Sequence, residues 1–417
     1  MKKKFRLYVG FLLMASGVCA MTACSGGEDS IANTTGGGSV SKTDEVLTLT
    51  INTGNVSSRV TDITTDPGVN AENTINRITV GIFDASGNVR TIQELTSGNG
   101  TTGDGTFKVT TSGSNAVAEA NLVTTSLTAG DKILAAVNAP AGHFSGVTSQ
   151  SAFAKDLLLG VALTTSGSSA TPTSAETSNN VPMYGESTLS GSAGNFSANV
   201  PVKHLIAKVS LESLSVDFDE NGSYSQATFT PTAFFLINVP EKLVFQDTPV
   251  WTISNTNWHH GSPTDKTAAQ HGTYEEYLTT TNPIAAQELK GKNGSGTETF
   301  SGKYFLYAMP NNSDADGTRT KLVIAGKFKA DGQTPSNNGN DVYYPVSLNA
   351  TYDPITGAPS APDGTVYKVY PNKNYKCSVT IKTMGSDDPW KSIDPEAAKI
   401  TVTVQDFEDV SQSTTFK

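Results

Sequence analysis

The chain has 417 residues and a formal net charge of −10, from 29 Lys+Arg against 39 Asp+Glu. That balance argues against a nucleic-acid partner, which needs a basic face. Charged residues make up only 16%, while 38 Gly and 19 Pro punctuate β-branched runs, so the composition excludes both a disordered acidic chain and a helical bundle and predicts many short strands and turns.

In chain order, Lys2, Lys3, Lys4 and Arg6 precede the apolar run Leu7 to Val18, and Met21-Thr22-Ala23 leads to Cys24. A basic start, a short apolar stretch and small residues before a Cys form an export leader, residues 1–23. Cleavage before Cys24 makes that residue the site of lipidation; ordinary cleavage after Ala20 or Ala23 is the plainer alternative. Residues 24–45 form the lipidated tether, rich in Gly, Ser and Thr. Cys19 leaves with the leader and Cys24 carries lipid. Only Cys377 then remains, so no internal disulfide and no four-Cys zinc site is available. The alternating stretch around Cys377 predicts a buried, inert thiol.

Leu47-Thr48-Leu49-Thr50-Ile51-Asn52 alternates apolar and polar residues, the period of a half-buried strand. Thr53 to Val60 is polar and reads as exposed. Strands follow at Ile78–Phe83 and Lys132–Val137, the latter running into Asn138-Ala139-Pro140. Ser151 to Leu159 reads as a helix, capped by Ser149 or Ser151 and stopped by Gly160. Val202 to Leu211 reads as one long strand opening a second unit. Phe234–Val239, Tyr304–Met309, Lys321–Phe328, Val342–Leu348, Tyr375–Lys382 and Ile400–Val404 complete the strand set. The expected architecture is mostly β: two β-sandwich domains, 46–199 and 200–417, with a few short helices.

Catalytic and cofactor signatures are missing. None of His143, His204, His259, His260 and His271 has a partner at metal-ligand spacing except the adjacent pair His259-His260, which a strand would point to opposite faces. That pair reads as exposed loop histidines. There is no nucleophile elbow, zinc-protease helix or phosphate loop. Asp314-Ala315-Asp316-Gly317 resembles the start of a calcium loop but lacks its downstream acidic ligand, and reads as a polar turn. Trp251, Trp258 and Trp390 read as core or rim residues; as sugar-stacking platforms they would support a second reading, a surface glycan-binding lipoprotein that keeps its lipid. The expectation is a non-enzyme with no cofactor and no metal.

Taken together, several pieces in order resemble the fimbrillins of Bacteroidales bacteria. They are Cys24; Leu47–Ile51 followed by Ser57-Ser58-Arg59-Val60; Ile133–Val137 with Asn138-Ala139-Pro140; Val202-Lys203-His204-Leu205-Ile206-Ala207-Lys208; Asp341-Val342-Tyr343-Tyr344-Pro345-Val346; Asn372-Lys373-Asn374-Tyr375-Lys376-Cys377; and Ile400–Val404. The resemblance implies two transthyretin-like β-sandwich domains in a lipoprotein precursor of surface fimbriae used in adhesion or biofilm. It implies that an extracellular Arg-specific protease cuts after Arg59, leaving Val60 as the new N-terminus. The strand bearing Leu47, Leu49 and Ile51 is then lost with the lipid, and a C-terminal segment of a neighbour, about 399–417, fills its place. The implied donor residues are Ile400, Val402, Val404 and Phe407. The implied partners are copies of the chain and other fimbrial subunits, the protease, and the outer membrane before processing. The residues alone leave open whether Ile400–Val404 or the tail beyond Phe407 is the donor, and whether the subunit lies in the shaft or at the tip.

Overall fold

The computed structural model describes most of residues 45–53, 72–98, 105–158, 180–246, 257–280 and 284–406. The leader, Cys24 and the tether up to residue 44, Arg59 and Val60, Trp251, Gly160 and Phe407 lie outside the described residues, as do the side chains of Ile400 and Val404.

Eleven strands come first: β1 (Glu45–Asn52), β2 (Arg77–Phe83), β3 (Val89–Ser97), β4 (Thr106–Ser112), β5 (Asn115–Thr124), β6 (Lys132–Val137), β7 (Asp156–Leu158), β8 (Met183–Thr188), β9 (Ser190–Ser192), β10 (Asn195–Pro201) and β11 (Lys203–His204). All but β7 join one sheet, ordered β11-β8-β6-β2-β3-β4-β5-β1-β10-β9. The sheet curls until β10 packs against β8 and β6. The approach is close enough to require glycine: a Cβ on Gly185 of β8 would lie 2.0 Å from the Pro201 carbonyl oxygen. One core fills the curl, with Leu47, Leu49, Ile51, Ile78, Val80, Ile82, Phe107, Ile133, Ala135, Val137 and Val200 among its members.

The next strands are β12 (Ala207–Val216), β13 (Thr228–Ile237), β14 (Val239–Pro240), β15 (Lys242–Val244), β16 (Trp258–His260), β17 (Thr273–Tyr274), β18 (Leu289–Lys290), β19 (Thr299–Phe300), β20 (Tyr304–Ala308), β21 (Lys321–Lys329), β22 (Asn340–Ser347), β23 (Thr351–Tyr352), β24 (Pro359–Ser360), β25 (Lys373–Ile381) and β26 (Ala398–Asp406). A sheet ordered β19-β12-β25-β26, with β20 also on β12, shares a core with a second sheet, β18-β13-β21-β22. Val209, Leu211, Phe305, Cys377 and Val379 of the first meet Phe229, Phe234, Leu322, Ile324 and Tyr344 of the second. The fold is thus mostly β and built as β-sandwiches.

The apolar run of β6 is continuous because both its faces are buried. Ile133, Ala135 and Val137 enter the first core, while Leu134 and Ala136 join the second.

Three sequence expectations are corrected. The described part of the expected helix, Ser151 to Leu158, is not α-helical: a 3-10 turn covers Ser151–Phe153, and β7 then pairs with β15. Ser149 Oγ does accept the Ala152 amide, as a cap would. Past that turn, however, tertiary pairing wins. Phe153 is stacked on Phe144 with ring centroids 4.2 Å apart, and Lys155 Nζ donates to the carbonyls of His143 and Ser145. A short apolar run of this length fits either state, and partners decide it. Second, Val202–Leu211 is not one strand. It breaks at Leu205-Ile206, so β11 closes the first sheet and β12 opens the next. Third, His259 and His260 are buried, not exposed in loops; His204 is buried too. His259 and His260 lie on β16, and burial pushes both imidazoles below the ordinary histidine range.

Candidate functional site

The first strand occupies an interior position. β1 runs antiparallel to β5 and parallel to β10, with Leu47 opposite Leu122 and Phe196, Leu49 opposite Ala120 and Ala198, and Ile51 opposite Ala118 and Val200. Leu47, Leu49 and Ile51 are 0–1% exposed. Small residues on β5 (Ala116, Ala118 and Ala120) leave room on the core face for these three larger side chains. Burying three such side chains contributes roughly 5–9 kcal/mol as an upper estimate. Strand pairing adds two full ladders, because β1 is hydrogen-bonded on both sides. Its removal would leave β5 and β10 as two facing edges, each with unpaired donors and acceptors.

The exit of β1 is tied down by a residue that sequence reading placed in an exposed stretch. Thr53 is fully buried. Its hydroxyl donates to the Ala116 carbonyl (3.2 Å) and accepts the Ala116 amide (2.9 Å), while its own amide donates to the same carbonyl (3.1 Å). Alongside, the Val202 amide donates to the Asn52 carbonyl.

At the other end of the chain, β26 pairs with β25 from Lys373↔Asp406 to Ile381↔Ala398 and is the edge of its sheet. Ala398 and Val402 are buried there, Val402 opposite Cys377. The strand has one main-chain ladder to release, where β1 has two. Cys377 is buried, and burial pushes its thiol up to about 12, which removes thiolate reactivity at neutral pH.

Between these ends lies a buried polar cluster that the sequence did not signal. Glu72 and Lys208 are each 1% exposed, with Nζ 3.1 Å from Oε1. Tyr307 donates its hydroxyl to the same carboxylate, and Lys208 sits 4.7 Å from the Phe305 ring centroid. His204 Nε2 lies 3.1 Å from the Glu72 carbonyl oxygen, and Nδ1 lies 3.3 Å from Asn372 Oδ1. Burial pulls the His204 imidazole down to about 4, against those two hydrogen bonds, so the ring is neutral at neutral pH. A few residues on, Asn138, with φ +61°, donates to the carbonyls of Thr74 and Val181 and accepts the Asn76 amide. Together these contacts fix residues 72–76 to strands β11, β12 and β20 and to the segment before β8.

Of the remaining sequence candidates, Asp316 and Trp390 are engaged in packing and ion pairs. Asp316 holds Arg319, Lys321 and Ser392 in the turn before β21. Burial works to raise its carboxyl, but hydrogen bonds from Lys321 and Ser392 and the charges of Lys321 and Arg319 outweigh it and bring the group down to about 2. Trp390 covers the outer face of the β13–β21–β22 sheet and is stacked against His271 at 3.9 Å, so that face of its ring is occupied. Trp258 is half-buried on β16. Among the described residues, no group of three or more His, Cys, Asp and Glu side chains is placed to hold a metal ion.

No family model matches the chain, and no curated protein does. Solved structures do. One is a candidate cell adhesion protein from Bacteroides eggerthii DSM 20697, with TM-score 0.55 and 17% identity over 89% of this chain and 98% of that one. Another candidate cell adhesion protein, from Parabacteroides distasonis ATCC 8503, gives TM-score 0.53 and 12% identity over 87% of this chain and 100% of its own. A fimbrilin (FimA) from Porphyromonas gingivalis W83 gives TM-score 0.52 and 16% identity, covering 88% and 99%. At such identities the likeness is one of fold: the chain is a β-sandwich protein folded, along nearly its whole described length, like the Porphyromonas gingivalis fimbrilin.

Proposed function

We propose that the chain is the precursor of a fimbrial subunit, a structural protein rather than an enzyme, that acts at the cell surface in adhesion or biofilm. It is exported as a lipoprotein, acylated at Cys24 and held at the outer membrane. An extracellular Arg-specific protease cuts after Arg59, β1 departs with the lipid, and the C-terminal segment of a second subunit fills the slot. Fold likeness to a fimbrilin supports the subunit role. The observation that carries the reading is the placement of β1. It is an interior strand, apolar on one face only, and continuous with the segment bearing Arg59.

The distribution of arginines supports cleavage at that point. Outside the leader the chain has Arg59, Arg77, Arg90 and Arg319. Arg77 sits in β2 and pairs with Glu94; Arg90 sits in β3, 3.4 Å from Asp131; Arg319 pairs with Asp316 and stacks on Tyr367. A protease must draw several residues of extended backbone into its cleft, and these three are held in ladders and ion pairs. β26 suits the donor role because it lies at a sheet edge and places Ile400, Val402 and Val404 at the same two-residue spacing as Leu47, Leu49 and Ile51. Donor and acceptor surfaces differ, so the contact is head-to-tail and the polymer open.

The test is digestion of the native full chain with an Arg-specific endoprotease, followed by sequencing of the new N-terminus and sizing of the product. The expected result is a single new start at Val60 and a ladder of oligomers. An uncut loop, or a cut product that stays monomeric at high concentration, would contradict the reading.

A further inference from the structure

We infer that the slot ends in a hydroxyl-reading subsite, formed by the Ala116 amide and carbonyl, that selects Ser or Thr at the fourth inward position of whatever strand occupies it. The inference rests on the reading that β1 vacates its slot, and it specifies what that slot accepts.

The pairing of β1 with β5 runs regularly from Glu45↔Thr124 to Asn52↔Val117. The next pair in register is Thr53 with Ala116. In a continuing antiparallel ladder, the Ala116 amide would be taken by the main-chain carbonyl of residue 53. Here it is taken by the Thr53 hydroxyl, 2.9 Å away. The same hydroxyl gives its proton to the Ala116 carbonyl. The side chain thus stands in for the carbonyl, and one atom serves as both acceptor and donor. Only a hydroxyl on a short side chain does both at this distance from the backbone. Thr53 is 0% exposed and Ala116 3%, so water does not substitute for it. The inward positions then read Leu47, Leu49, Ile51, Thr53: three apolar subsites and one hydroxyl subsite.

The chain's own C-terminal segment matches three of the four. If Ile400, Val402 and Val404 take the places of Leu47, Leu49 and Ile51, the fourth place falls to Asp406. A carboxylate there accepts the amide and leaves the main-chain amide to reach the carbonyl as that of Thr53 does, but it loses the hydroxyl's own bond to that carbonyl and buries a charge. The departing strand is therefore the better ligand at this subsite.

The experiment uses the full chain cut after Arg59 and labelled peptides of residues 45–55: the native sequence, Thr53→Ser and Thr53→Val. Val matches Thr in shape and keeps the packing while removing the hydroxyl. The expected result is that native and Ser peptides bind alike and the Val peptide at least about tenfold more weakly, because it buries an unpaired amide. Equal binding of native and Val peptides would overturn the inference while leaving the slot itself intact. A native peptide that fails to enter the cut protein at all would remove the vacated-slot reading, and this inference with it.

Discussion

Glu72→Gln will lower the unfolding free energy of the full chain by about 3–5 kcal/mol, because it removes the opposite charge that faces the buried Lys208 ammonium. The carboxylate it removes lies 3.1 Å from Nζ and also receives the Tyr307 hydroxyl. The pair is not a net source of stability by itself. Taking two charges out of water costs nearly as much as their attraction returns. The double variant Glu72→Leu/Lys208→Met, which removes both charges and keeps apolar bulk, is therefore expected to lose much less than the single. Urea unfolding of the three proteins checks this; a single variant no worse than the double would mean that the ion pair is not isolated from solvent. What the pair supplies is a fixed point. Residue 72 is the first described residue after 54–71, and it is bound to β12 and β20 through side chains and to β11 through its carbonyl. The proposed cut after Arg59 lies upstream of that point.

The second large effect is the loss of β1. The chain cut after Arg59 and stripped of its N-terminal fragment should unfold at markedly lower denaturant than the uncut chain, with a deficit of up to roughly 5–9 kcal/mol from the three lost core side chains alone. The measurement must be made dilute, where no neighbour can fill the slot. Raising the concentration should then recover stability, since a bound strand stabilises by mass action. Equal midpoints for cut and uncut chains would show that β1 contributes little and that its slot closes on itself. Between the two effects there is a division of labour. If β1 departs as proposed, the buried cluster at Glu72 would hold the remaining chain in place while the curled sheet is left with facing edges at β5 and β10.

Much of this was readable from the residues. The alternation of Leu47, Leu49 and Ile51 marked β1 and its buried face, because a one-sided strand has a period of two. The same holds for β26, where Val402 is buried as its spacing predicts. Asn138-Ala139-Pro140, which stood out in the sequence, has a counterpart that did not, Asn238-Val239-Pro240. Both asparagines have positive φ at the end of a buried strand and donate their amides to distant carbonyls. What was not readable depends on partners far away in the chain. Glu72 sits in a polar stretch that looks like any loop, and its Lys208 lies 136 residues further along, at the start of a strand. Thr53 looked exposed because its neighbours are polar; only the end of β5 makes it buried. Residues 151–159 looked helical because their apolar residues are close together, and the β7–β15 pairing and the Phe83–Phe144–Phe153 aromatic cluster decided otherwise. The buried histidines were missed for the same reason: β16 and β11 are short, and their burial comes from what covers them.

The most direct measurement is a density map of the assembled polymer at a resolution that identifies side chains. The space between β5 and β10 of each subunit should hold C-terminal residues of another copy, with Leu47, Leu49 and Ile51 gone. A polymer in which those three residues still fill the slot of their own subunit would contradict strand exchange.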